Sequence, residues 1–104
     1  MGKNNLYNAV SFRYAFLDGY KKLQLSEQDL AVVLMIDHLL EQGNSLVTAD
    51  LLSMKMTYSV KDLDTEMVSL VKRGFLVYDT TDGGMKTSLD PLKNLVYREF
   101  QKSM

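Results

Sequence analysis

The sequence predicts a mainly α-helical domain with one small β-hairpin, arranged as a winged helix-turn-helix with an extra N-terminal segment and a C-terminal helix. Three observations predict it. Hydroxyl caps stand ahead of three helix-like stretches, at Ser26, Thr48 and Ser59. Glycines close two of those stretches, at Gly43 and Gly74. A strand-like "FLVY" is separated from "MKTSL" by the turn-forming "DTTDGG".

In chain order, residues 6–12, "LYNAVSF", read as a short strand or arm, and "RYAFLDGYKKLQL" follows with apolar residues near helical spacing. The expected division is therefore an N-terminal arm over 1–12 and a winged-helix domain over 13–104. At Ser26 the pattern Ser-x-x-Asp places a hydroxyl where it accepts the amide of Asp29. The helix that follows is apolar nearly all round from Leu30 to Ile36, as a buried central helix would be. Thr48 caps a short helix, "ADLLSMKM".

Ser59 caps the third helix, which runs to Arg73. Its expected inner face is Val60, Leu63, Met67, Leu70 and Val71, with Lys61, Asp62, Thr65, Glu66, Ser69, Lys72 and Arg73 outward. The hairpin tip falls near Gly83 and Gly84. Asp90 before Pro91 marks the last helix, whose inner face is Leu92, Leu95, Val96 and Phe100.

Composition fits one folded domain: 104 residues, 46% hydrophobic and 24% charged. With 12 basic against 13 acidic residues the net charge is −1, so no global field draws the chain to phosphate backbones. There is no cysteine, which removes disulfides, thiolate metal sites and thiol nucleophiles. The longest apolar run, Leu30 to Ile36, falls far short of the ~20 residues a membrane span requires. Asn4, Asn5 and Asn8 interrupt the N-terminus, which does not read as a secretory signal; the expected location is the cytoplasm.

A winged helix invites the expectation that the third helix enters the major groove of DNA. The residues that would make contact are Lys61, Lys72 and Arg73 on that helix and Lys86 in the hairpin. Their surroundings oppose it. From Ser59 to Glu66, the half that would reach the bases, the balance is −2, with Lys61 against Asp62, Asp64 and Glu66. The hairpin from Phe75 to Leu89 sets Lys86 against Asp79 and Asp82 and contains no arginine. Lys72 and Arg73 are explained as well by the negative end of the helix dipole, and Lys21 with Lys22 by a solvated helix face.

Catalytic and cofactor chemistry has little to work with, and no enzyme, cofactor or metal is expected. His38 is the only histidine and reads as a satisfied structural residue, and zinc would need more ligands than it offers. The loop Asp79–Asp90 has a calcium loop's length but carries Thr81 and Gly83 at ligand positions, and "GGMKTS" lacks phosphate-loop spacing. Met54, Met56 and Met67 read as core filler.

The aromatic residues are unevenly placed: Tyr7, Phe12, Tyr14, Phe16 and Tyr20 are half of the 6 tyrosines and 4 phenylalanines, within the first fifth of the chain. Phe16 and Tyr20, four apart, fit a core-facing stripe. Leu6, Tyr7, Val10, Phe12 and Tyr14 instead suggest a surface for self-association, because a short apolar segment ahead of a domain must pack elsewhere.

The segments "YKKLQLSEQDLAVVLMI", "LVKRGFL" and "SLDPLKNL" occur in the order and at about the spacing found in the N-terminal domain of DnaD-type replication initiation proteins, which this chain resembles over roughly residues 15 to 97. The resemblance implies a primosomal protein of low-GC Gram-positive bacteria, their phages, plasmids or mollicute relatives, acting as the replicative helicase is loaded. It also implies a winged helix that oligomerises and contacts other initiation proteins, while a separate C-terminal helical domain carries most DNA binding. The expectation is thus a non-enzymatic interaction module with weak or no DNA binding of its own. The alternative is a dimeric transcription regulator resembling the MarR group, with helix 59–73 and hairpin 75–89 on DNA.

Overall fold

The structure, a computed structural model, describes residues 11–80 and 83–102. Helix α1 (Phe12–Gly19) starts from Ser11, whose Oγ accepts the amide of Tyr14 at 3.2 Å. Helix α2 (Glu27–Glu41) opens with a reciprocal capping box. Ser26 Oγ accepts the Asp29 amide at 3.0 Å, and Asp29 Oδ2 accepts the Ser26 amide at 2.9 Å. Thr48 and Ser59 cap α3 (Ala49–Ser53) and α4 (Val60–Lys72) one way only, each hydroxyl accepting the amide three residues on, of Leu51 and Asp62. Strands β1 (Val77–Asp79) and β2 (Lys86–Ser88) pair antiparallel with Tyr78 opposite Thr87, and α5 (Asp90–Lys102) follows. This is the winged-helix order expected from the sequence.

Gly43 and Gly74 end α2 and α4 for a shared reason. Both have positive φ, 99° and 82°, and at each the glycine's own amide and the next one turn back on the helix. Gly43 and Asn44 donate to the carbonyls of Leu40 and Leu39, and Gly74 and Phe75 to those of Val71 and Leu70. The second turn also shortens the first strand. The amides of Phe75 and Leu76 both point to the Leu70 carbonyl, so pairing begins only at Val77. The expected helix "ADLLSMKM" likewise stops at Ser53, where Met54 and Lys55 close tighter turns onto Leu51 and Leu52.

The core is built from Phe16, Val33, Ile36, Leu63, Leu70 and Leu92 with their neighbours, and takes residues from every helix and from both ends of the hairpin. Helices α1 and α5 pack against each other and close one side. Two expectations are corrected here. Phe12 belongs to α1, not to an arm; it is 6% exposed and stacks on Phe16 with ring centroids 5.2 Å apart. His38 is exposed, and the buried polar residue of that turn is Asp37. Asp37 lies 3.5 Å from Arg13 of α1 and 3.0 Å from Lys93 of α5, so one carboxylate links three helices. Leu6, Tyr7 and Val10 lie outside the described residues.

The hairpin is anchored at its root. Thr87 Oγ1 accepts the buried amide of Val47 at 2.8 Å, the Thr87 amide donates to Ser45 at 2.8 Å, and the Tyr78 hydroxyl donates to the Val47 carbonyl at 3.1 Å. Replacing Thr87 with valine keeps the shape but strands the Val47 amide. The expected loss is about 1–3 kcal/mol of stability, measured by urea denaturation; an unchanged midpoint would show the bond to be dispensable.

Candidate protein-interaction surface

Helix α4 and the hairpin would face DNA in a DNA-reading winged helix, so the sequence-predicted contacts are placed there first. Lys61 is exposed in the first turn of α4, beside exposed Asp62 and Asp64. Lys86 is exposed on β2, opposite Asp79. Lys72 is exposed at the end of α4.

Arg73 is engaged elsewhere. Its Nη1 and Nη2 each donate to an oxygen of Asp29 at 2.8 Å, Nη2 lies 3.8 Å from Glu66 Oε2, and the guanidinium sits 5.5 Å from the Phe75 ring centroid. Its Nε also reaches the Ser69 carbonyl at 3.3 Å, which is the helix-end interaction expected from the sequence. Arg73 is therefore a two-pronged clamp between α2 and α4, not a free cation aimed at phosphate.

What the face does offer is apolar. A groove of about 500 Å³ runs between α4, the hairpin and the segment before α3, with Leu46, Val68, Val71, Tyr78 and Met85 along it and Asp64 and Lys72 at its sides. Val68, Val71 and Met85 are 45%, 42% and 51% exposed, a concentration of large apolar groups of the kind that marks contact surfaces. The Tyr78 phenol is pushed above its ordinary pKa by burial and then by the Asp64 carboxylate. It stays protonated and holds its bond to Val47, which fixes one wall of the groove. Val60 and Val71 were expected inward from their spacing but are exposed, while Glu66, expected outward, is 8% exposed and packs beside Arg73.

A second apolar surface lies on α1. Tyr14 is 61% exposed and meets Phe100 of α5 edge-on with centroids 6.1 Å apart, and Leu17 is 54% exposed. Among the described residues no group of three or more metal-ligating side chains comes together, and no helix is long and apolar enough to cross a membrane.

The DnaD N-terminal domain family matches residues 12–104. The chain belongs to that family. The crystal structure of the N-terminal domain of DnaD protein from Geobacillus kaustophilus HTA426 has the same fold, with a TM-score of 0.72 at 24% sequence identity, covering 86% of this chain and 76% of that one. No curated protein matches the chain. Membership in the DnaD N-terminal domain family makes this a primosomal, DNA-replication domain of the replication initiation type.

Proposed function

We propose that the chain is a non-enzymatic module through which a cytoplasmic replication initiation protein associates with copies of itself and with other initiation proteins during helicase loading. One observation carries this reading: the face that would grip DNA has an acidic leading half and an apolar groove, and Arg73 there is committed to Asp29. Phosphate backbones are held by free cations, whereas exposed apolar side chains flanked by one charge of each sign suit a polypeptide. Tyr14 and Leu17 add apolar surface where the segment containing Leu6, Tyr7 and Val10 joins the domain.

The test pairs two measurements. Titrating labelled duplex DNA at moderate salt should show no sequence-selective binding below the micromolar range. Light scattering should show an oligomer for the whole chain and a smaller mass for a chain lacking residues 1–10, a truncation that keeps the Ser11 cap and Phe12. Sub-micromolar, sequence-selective DNA binding by a chain that stays monomeric would overturn the proposal in favour of a regulator.

A further inference from the structure

Two carboxyl groups face one guanidinium between α2 and α4. Asp29 is fully engaged: both oxygens accept from Arg73 at 2.8 Å, and Oδ2 also takes the Ser26 amide at 2.9 Å. Glu66 is not. Its Oε1 accepts from Gln28 Nε2 at 3.1 Å, but Oε2 is buried, accepts no hydrogen bond, and lies 3.8 Å from Arg73 Nη2. The residues are 4% and 8% exposed, so water does not make good the deficit. An ionised Glu66 would be a buried carboxylate with one bare oxygen, beside a second carboxylate with prior claim on Arg73. A protonated Glu66 carries no buried charge, and that oxygen becomes able to donate to Asp29, which shares Arg73 with it.

We infer that Asp29 and Glu66 form a carboxyl pair holding one proton, carried on Glu66, and that loss of this proton loosens the packing of α4 on α2. Other groups line the pocket beside Glu66. Gln28 comes from α2, Asp62, Thr65 and Ser69 from α4, and Tyr58 from the segment between α3 and α4; Arg73 supplies the only positive charge among them. Consistent with this, burial first, then the hydrogen bond to Asp29 and its charge, push Glu66 up to about 7 against the pull of Gln28 and Arg73. Arg73, with help from Glu66 and Ser26, holds Asp29 well below the usual carboxylate range despite its burial.

The sign follows from the folded value lying above the unfolded one. Between 4.5, where unfolded Glu66 loses its proton, and about 7, where the folded residue does, the folded state binds more protons. Stability from this group is therefore complete below the lower value, falls as pH rises, and is absent above the higher one. Asp29 acts in the opposite sense, but only in acid, as pH falls below its ordinary 3.8.

The test is urea denaturation at pH 5, 6, 7 and 8 for the wild type and Glu66→Gln, whose amide stays neutral and can donate throughout. The wild-type folding constant is expected to fall by up to roughly tenfold per pH unit in the steep part, the limit for one proton, while Glu66→Gln stays flat over that range. Carbon-13 NMR of the Glu66 carboxyl in the wild type, which needs no variant to fold, should titrate near neutrality. A Glu66 carboxyl that titrates in the ordinary glutamate range, or a variant with the wild-type pH slope, overturns the inference.

Discussion

Replacing Phe16 with alanine should destabilise the domain by about 3–5 kcal/mol, the range for removing a fully enclosed aromatic ring from a core. Phe16 has no exposed surface, and its ring is held on two sides, stacked on Phe12 at 5.2 Å and edge-on to Tyr20 at 6.3 Å. Helices α1 and α5 close over this cluster, and Lys93 of α5 lies 5.1 Å from the centroid of the Phe12 ring. A hole there cannot be filled by one neighbour without disturbing another. Urea denaturation followed by circular dichroism measures the loss, and a change below about 1 kcal/mol would mean that the site collapses freely. Tyr14 is the control. It is 61% exposed, so Tyr14→Ala should cost less than about 1 kcal/mol, and a fall in solution mass would then report an interface.

That contrast shows what one-dimensional pattern can and cannot resolve. Caps and stops were legible because they are local: Ser26 and Asp29 are three residues apart and bond each other, and Gly43 and Gly74 are needed for their own φ. The fold class followed from the order of such signals. Phe12 and Tyr14, two residues apart, looked alike as aromatic residues at the edge of an arm. Which one enters the core depends on where Ser11 starts α1 and on α5, some 80 residues later in sequence.

The groove was hidden for a related reason. Val68 and Val71 belong to α4, Met85 to the hairpin and Leu46 to the segment before α3, and no spacing within α4 announces that they meet. The apolar stripe of α4 leaves Glu66 on the outward face, yet Glu66 stands seven residues, two helical turns, before Arg73. That spacing puts both on one face of α4, and with the acid of a capping box across from them it is the signal that could have exposed the cluster.

Replacing Arg73 with methionine should cost about 3 kcal/mol at neutral pH, toward the low end for breaking a buried ion pair, because a third of the guanidinium side chain reaches solvent. Methionine keeps much of the aliphatic stem but loses the guanidinium over the Phe75 ring, so the loss reports charge, hydrogen bonding and that cation–ring contact together. Asp29, with 6% of its side chain exposed, would lose both Arg73 bonds, the largest of the interactions that hold it ionised, and keep only the Ser26 amide and Glu66 against the penalty of burial. Its folded pKa should then rise from the depressed wild-type value, so the variant loses less stability than the wild type as acid protonates Asp29. The gap between the two proteins should be widest near pH 7 and narrow below about pH 4. Arg73→Lys should fall between them, since one ammonium cannot occupy both Asp29 oxygens in the paired geometry of a guanidinium. Denaturation of all three at both pH values decides the matter. A methionine variant as stable as wild type at neutral pH would mean that the clamp contributes no more than an apolar contact between α2 and α4, and that Arg73 was free to serve another surface after all.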